Sequence, residues 1–196
     1  MPPRLILASA SPRRKALLEQ VGAEFTVAPS DFDERAVAGE PVVGTPVQQA
    51  RALALGKARA VAAERRSGLV IGADTIVVVS SAILGKPRDR QEARSMLRLL
   101  SGRRHQVITG LAVIDAESGR EAVSHEETAV WIRSLSDEEI DRYVASGEGD
   151  DKAGAYAVQG LGGLLVERIE GCYFNVVGLP LVHLDRMLAG FGTRLL

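Results

Sequence analysis

Three consecutive cations, Arg13, Arg14 and Lys15, follow a proline where the sequence predicts the first turn of a helix. Residues 5–8 before it form an apolar, strand-like run, and Ser9 adds a hydroxyl in the turn between. A helix N-terminus already presents about half a positive charge, so three cations there are unfavourable unless an anion binds. Free amides, hydroxyls and guanidinium groups together favour a polyphosphate site. A solvated basic turn is the alternative interpretation.

Two more charged residues, Lys57 and Asp74, fall within predicted apolar surfaces. Lys57 follows Ala50 by seven residues, which places both on the apolar face of a helix predicted over residues 45–66. Its ammonium either extends past the packed face to solvent or points into a cleft. Asp74 interrupts the apolar β segment 68–79. A buried carboxylate requires a metal or a cation, unless Asp74 caps a turn between two strands.

Three residues in predicted loops have chemistry that suits the same site. Lys86 adds a cation on a turn that contains glycine and proline. Glu34, with its neighbour Asp33, could complete a hard oxygen site with Asp74, of the kind that takes Mg²⁺ or Mn²⁺. Gln159 carries an amide that both donates and accepts hydrogen bonds, as is needed to read a base edge. A solvated acidic loop and an ordinary turn glutamine are the alternatives.

The composition argues against several other classes of protein. The 24 Lys and Arg residues against 25 Asp and Glu give a net charge of -1, and aromatic residues make up 4% of the chain, so we expect no nucleic acid or membrane partner. The lone Cys172 excludes an intrachain disulfide framework and a thiolate zinc site. Residues 5–8 are too short for a signal or membrane segment. We therefore expect a cytoplasmic protein.

Hydrophobic periodicity and capping signals predict one α/β domain over residues 1–196, with two lobes around a cleft. The predicted helices are one that starts at Pro12 and others at 45–66, 89–100, 136–147 and 180–189; the predicted strands are 5–8, 68–79, 107–114, 122–132, 164–169 and 173–177. Glu117-Ser118-Gly119 should join two strands in a hairpin within a mixed sheet.

Six short motifs, in this order, are similar to those of one known family. They are ASASPRR at 8–14, GADT at 72–75, LGKP at 84–87, LSG at 100–102, DKAGAY at 151–156 and VVGLP at 176–180. Their number and order make the match specific, and they span nearly the whole chain. The chain thus resembles the Maf family of nucleoside triphosphate pyrophosphatases.

This resemblance implies a mixed sheet flanked by helices, with a cleft between lobes, as in the inosine triphosphate pyrophosphatases. It implies hydrolysis of a nucleoside triphosphate to the monophosphate and pyrophosphate, with a divalent cation, in a homodimer. Asp74 would accept the proton of the attacking water. The residues that would surround the triphosphate and metal are Ser9, Arg13, Arg14, Lys15, Glu34, Lys57 and Lys86.

Arg13, Thr75 and Gln159 stand where branches of the family differ in substrate. These residue types resemble the branch that acts on dTTP and UTP, and not the branch that prefers 7-methyl-GTP. Ala157 and Val158 depart from the glycine and isoleucine usual in that branch, which leaves the preference among modified pyrimidines open.

A second hypothesis is a nucleotide-binding regulator of cell division with little or no catalysis, because the family is associated with division arrest. The paired carboxylates Glu34 and Asp74 favour the enzyme, since a protein that only binds the nucleotide needs the cations but not the carboxylates.

Overall fold

The structure, a computed structural model, describes residues 3–33 and 44–196. The strands of these residues are β1 (Leu5–Leu7), β2 (Phe25–Val27), β3 (Leu69–Val79), β4 (Ala82–Leu84), β5 (Arg104–Asp115), β6 (Glu121–Ile132) and β7 (Val166–Glu170). Their α-helices are α1 (Pro12–Gln20), α2 (Pro46–Ala63), α3 (Arg90–Leu100), α4 (Asp137–Ser146), α5 (Tyr173–Val177) and α6 (Leu181–Ala189). None of these helices has the length and apolarity that a membrane span requires.

The seven strands of the described residues form one mixed sheet in the order β2-β1-β3-β5-β6-β7, with β4 paired to β3. Strand β1 runs parallel to both β2 and β3. The pairs β3-β4 and β6-β7 are antiparallel. The open, mixed sheet with its helices confirms the predicted α/β fold class.

The chain divides into two compact units. The first comprises Met1–Asp74, Thr109–Glu126 and Gly178–Leu196, and the second comprises Thr75–Ile108 and Glu127–Val177. Each unit has its own apolar cluster of buried residues.

In the first unit, helix α2 packs unusually close to the sheet. A Cβ added at Gly72 on β3 would lie 2.2 Å from the carbonyl oxygen of Ala54, and one added at Gly110 on β5 would lie 2.1 Å from that of Ala50. Only glycine allows this approach, because real Cβ atoms do not come within about 3 Å of a backbone oxygen. The face of α2 therefore lies directly on these strands, which fixes the position of the Lys57 backbone relative to β3.

In the second unit, α3 and α4 cover an apolar core. Their N-caps, Asp89 and Ser136, accept hydrogen bonds from backbone N–H groups of the first turn, and the cap at Ser136 confirms the prediction of a helix start there. Buried side chains of both helices, among them Leu97, Leu100 and Ile140, pack with Val130. The helices and strands of this unit share one contiguous core.

The prediction of a strand over residues 173–177 is wrong, because these residues form α5. The apolar, β-branched run favours a strand by propensity alone. In the helix, the fully buried Asn175 donates hydrogen bonds to the carbonyl oxygen of Val107 at 3.0 Å and to Oγ1 of Thr128 at 2.9 Å. Satisfying a buried amide outweighs a preference worth at most ~1 kcal/mol.

Candidate active site

The basic turn at the start of α1 is built around the side chain of Arg14. Its Nε donates to the carbonyl oxygen of Gly178 at 2.8 Å, and its Nη1 donates to the carbonyl oxygen of Ala73 at 2.8 Å and to Oγ of Ser9 at 3.1 Å. Gly178 has a φ of 125°, a conformation that L side chains rarely adopt. The VVGLP motif thus supplies an acceptor for Arg14, a role that the sequence did not reveal.

Ser9 occupies the turn between β1 and α1 and is only 7% exposed. Its Oγ also accepts a hydrogen bond from the backbone N–H of Ser11 at 3.2 Å. The side chain of Ser11, the N-cap residue, makes no capping bond to α1 within the described residues, and no acidic side chain lies in the first turn. The first turn of α1 thus has neither a side-chain cap nor an acidic residue, and its binding of an anion stays a prediction.

The other two first-turn cations have different surroundings. Arg13 is partly buried. The side chain of Lys15 is 54% exposed, and its Nζ lies 3.5 Å from Oε1 of Glu19 on the same helix. Such an exposed pair one turn apart stabilises a helix only weakly. Lys15 is therefore the most solvated of the three cations.

Lys57 and Asp74 form a buried ion pair in the first unit. Nζ of Lys57 lies 2.5 Å from Oδ1 of Asp74, and their side chains are 14% and 12% exposed. Asp74 lies within the continuous strand β3, so the interpretation that it caps a turn is wrong. The interpretation that the ammonium of Lys57 extends to solvent is also wrong, because it bonds Asp74 and the side chain is only 14% exposed. Oδ2 of Asp74 accepts no hydrogen bond from residues 3–33 and 44–196, which leaves one oxygen for a proton or a cation.

In the second unit, two of the motifs meet. The backbone N–H of Gly154 donates to the carbonyl oxygen of Gly85 at 3.0 Å, so the DKAGAY loop is bonded to the turn that carries Lys86. Gly154 has a φ of 72°, and a Cβ there would lie 3.2 Å from the side chain of Val77. Lys86 and Gln159 are both exposed. Both side chains are thus accessible to a polar ligand.

The DKAGAY loop is also anchored by a buried pair that sequence reasoning missed. Nε2 of His105 lies 2.7 Å from the hydroxyl of Tyr156, and the two rings meet edge to face. The residues are 2% and 5% exposed. Burial, and secondarily Arg104, lowers the pKa of His105 to about 4, and burial raises the pKa of Tyr156 well above its ordinary value. Both side chains are therefore neutral at pH 7.

The remaining predicted positions are Thr75 and Glu34. Thr75 directly follows Asp74 on β3 and is partly buried. Glu34 lies outside the described residues, so the prediction that it shares a metal with Asp74 stays a prediction. Two residues earlier in the chain, the ring of Phe32 fills the space where a Cβ on Gly56 would stand, next to Lys57.

The carboxylate of Asp74 is suited to hold a divalent cation. Within residues 3–33 and 44–196, no three His, Cys, Asp or Glu side chains cluster as a metal site. A divalent cation that retains several waters and is held by one or two carboxylates together with substrate phosphates needs no protein cage. The Asp74 carboxylate, with Oδ2 unbonded, fits a cation of that kind, which a pyrophosphatase family suggests in general terms.

Comparisons with known proteins identify the family of the chain. Residues 4–191 match the family described as Maf-like protein. The chain is 53% identical over 190 residues to the dTTP/UTP pyrophosphatase of Moorella thermoacetica, covering 97% of this chain and 96% of the relative. It is 50% identical over 192 residues to the dTTP/UTP pyrophosphatase of Pelotomaculum thermopropionicum, covering 98% of each. At this similarity over nearly its whole length, the chain belongs to the Maf family.

Proposed function

We propose that this protein hydrolyses nucleoside triphosphates, dTTP and UTP foremost, to the monophosphate and pyrophosphate. The observation that carries the proposal is the buried pair of Lys57 and Asp74 at 2.5 Å, in the same unit as the basic turn of α1. The relatives at about half identity are named dTTP/UTP pyrophosphatases. An acidic proton acceptor together with an anion-binding turn suits hydrolysis of a phosphoric anhydride.

In the proposed reaction, a water attacks the α-phosphorus and Asp74 accepts its proton. A bond forms from the water oxygen to phosphorus, the bond from phosphorus to the oxygen bridging to the β-phosphate breaks, and pyrophosphate leaves. Lys57 donates a hydrogen bond to Oδ1 of Asp74, and the carboxylate of Asp74 receives the proton. The side chain of Lys57, held next to Asp74, then faces the newly charged phosphate oxygens.

The phosphates bind at the N-terminus of α1. Ser9, Arg13, Arg14 and Lys15 belong to this turn, where the first-turn backbone N–H groups and the helix dipole favour an anion. We propose that Lys86, whose turn is bonded to the DKAGAY loop, stabilises the charge of the leaving pyrophosphate. Positioned cations of this kind supply most of the catalysis in phosphoryl transfer.

We propose that Asp74 and Glu34 hold Mg²⁺ or Mn²⁺. When bound, such a cation would neutralise phosphate charge during the attack. The hard carboxylate oxygen of Asp74 supports this choice over softer metals. We further propose that residues 1–196 act as one domain, in a cytoplasmic homodimer without nucleic acid or membrane partners.

Base preference is proposed to depend on Arg13, Thr75 and Gln159. The amide of Gln159 is exposed and so available to the edge of a pyrimidine base. It can donate one hydrogen bond to the base and accept another from it. A site that bonds both groups rejects a base that lacks one of them, because a polar group is then left unpaired.

The test is pyrophosphate release from a panel of standard and modified triphosphates, with Mg²⁺ or Mn²⁺, in ¹⁸O-labelled water. We expect the fastest release from dTTP and UTP, with the label in the monophosphate. Label in the pyrophosphate would place the attack on the β-phosphorus and contradict the mechanism. Binding of every nucleotide with cleavage of none would favour the regulator of cell division instead.

A further inference from the structure

Arg14 uses its side-chain donors on the protein's own atoms. Three N–H groups of the guanidinium point to Gly178, Ala73 and Ser9, at 2.8, 2.8 and 3.1 Å. Two of these acceptors are backbone carbonyl oxygens from distant parts of the chain. A guanidinium carries only five N–H donors in a fixed, planar arrangement. The fork of Arg14 is therefore largely oriented by the first unit itself.

The hydroxyl of Ser9 receives two hydrogen bonds and gives none within the described residues. Its Oγ accepts from Nη1 of Arg14 at 3.1 Å and from the backbone N–H of Ser11 at 3.2 Å. A hydroxyl has two acceptor lone pairs and one hydrogen, so both lone pairs are engaged. Ser9 is 93% buried, by its 7% exposure. The Ser9 hydroxyl can therefore bond a ligand only by donating its hydrogen, so the ligand must offer an acceptor atom.

We propose that Arg14 is a positioning residue that orients the Ser9 hydroxyl as a hydrogen-bond donor to a phosphate oxygen of the substrate. The same side chain holds the carbonyl oxygen of Ala73, the residue before Asp74, and so fixes the proton acceptor relative to Ser9. This role is narrower than direct phosphate binding by Arg14, and it rests on the proposed function. Because the donor to Oγ is a cation, it also polarises the hydroxyl and strengthens the bond that Ser9 donates.

The test is a double-mutant cycle with Ser9→Ala and Arg14→Lys, read as kcat and KM for dTTP. Lysine keeps the charge of Arg14 but has no planar fork to reach three acceptors. We expect each single substitution to lower kcat/KM by about tenfold or more, as for a lost hydrogen bond to a charged group. In the Ser9→Ala background, Arg14→Lys should cost about tenfold less than in the wild type, because the hydroxyl that it orients is gone.

Arg13→Lys supplies the matched control, since it changes the neighbouring arginine of the same turn. Its effect should multiply with that of Ser9→Ala. Arg14→Ala adds a second test: millimolar guanidinium should restore part of its kcat, and should fail to do so when Ser9→Ala is also present. Equal costs of Arg14→Lys in both backgrounds, or rescue that ignores Ser9, would overturn the inference. Thermal unfolding of every variant separates these effects from a general loss of folding.

The wild-type rate distinguishes failure of the inference from failure of the proposed function. If the wild type releases no pyrophosphate from any triphosphate, the proposed function is wrong. The cycle is then read by calorimetric titration with inorganic pyrophosphate, which probes the same anion site without catalysis. Coupling of Ser9 and Arg14 in that affinity would support the inference, and independent effects would overturn it.

Discussion

Gly72→Ala should displace the helix that carries Lys57 without changing any charged group. The added Cβ would lie 2.2 Å from the carbonyl oxygen of Ala54 and 2.8 Å from the Cβ of Ala58, which precludes the present packing of α2. Restoring an ordinary contact requires the helix to move by about 1 Å, since packed interiors contain no spare space. Lys57 precedes Ala58, so Nζ would move away from Asp74 by a similar amount.

The size of the effect follows from this displacement. Misplacement of a catalytic group by about 1 Å costs on the order of 10²-fold in rate. Overpacking of this kind destabilises a protein by about 1–3 kcal/mol, which leaves a domain of ordinary stability folded. We therefore expect kcat for pyrophosphate release from dTTP to fall by about 10²-fold while the protein still shows a cooperative thermal unfolding transition.

Gly119→Ala is the control for the loss of stability. Gly119 has a φ of 73°, so alanine is strained there, but its Cβ would meet nothing within 4 Å. The strain costs about 1–2 kcal/mol without moving α2. We expect wild-type kcat from this variant. A folded Gly72→Ala protein with the wild-type rate, or an equal loss of rate in Gly119→Ala, would refute the link between helix position and catalysis.

The remaining predictions concern charge and loop geometry. Burial lowers the pKa of His105 in the folded protein to about 4. Between about pH 6.5 and pH 4 the His105 side chain is therefore protonated in the unfolded chain but not in the folded protein, which favours unfolding. The free energy of unfolding from urea titrations should thus be about 2 kcal/mol lower at pH 5 than at pH 7. His105→Gln should remove that difference, and its persistence would reject the assignment. Lys57→Met leaves the buried carboxylate of Asp74 unpaired and should lower the free energy of unfolding by about 3 kcal/mol. Adding Asp74→Asn should recover most of that loss. Equal stability of the single and double variants would contradict the pairing. Gly154→Ala, with a φ of 72° and Val77 at 3.2 Å, should raise KM for dTTP more than it lowers kcat, and unchanged steady-state kinetics would show that the loop does not position substrate.

Local signals predicted the helix starts well. Thr45 forms the reciprocal capping box with Gln48, and Ser136 forms the same arrangement with Glu139. Each capping box joins two residues three positions apart, so both partners can be recognised from a short stretch of sequence. The short strands β2 and β4 were missed, because three residues are too few to show an alternating pattern. Residues 173–177 were assigned wrongly, since the partners of Asn175 lie elsewhere in the chain.

The chemistry of the site was only partly predictable. The sequence predicted that Asp74 needs a cation, and the structure identifies it as Lys57. The sequence showed no sign of the hydrogen bond from Arg14 to Gly178, because the two residues are 164 positions apart. It likewise gave no sign of the bond between His105 and Tyr156. Long-range contacts of this kind are set by the packing of elements, which no local pattern encodes.

The gathering of the cations opposite the carboxylates stays a prediction. Lys86 belongs to the second unit and Asp74 to the first. Within the first unit, Arg14 bonds both Ser9 and the carbonyl oxygen of Ala73, the residue before Asp74. A double-mutant cycle between Lys86→Met and Asp74→Asn would test whether the two act on the same substrate molecule.

The central claim is that the carboxylate of Asp74 accepts the proton of the attacking water. The most direct measurement is the single-turnover rate of pyrophosphate release from dTTP by Asp74→Asn, which keeps the shape of the side chain but removes its charge and basicity. We predict a loss of about 10²-fold or more, with the variant folded and still able to bind inorganic pyrophosphate. Release at the wild-type rate would contradict the account.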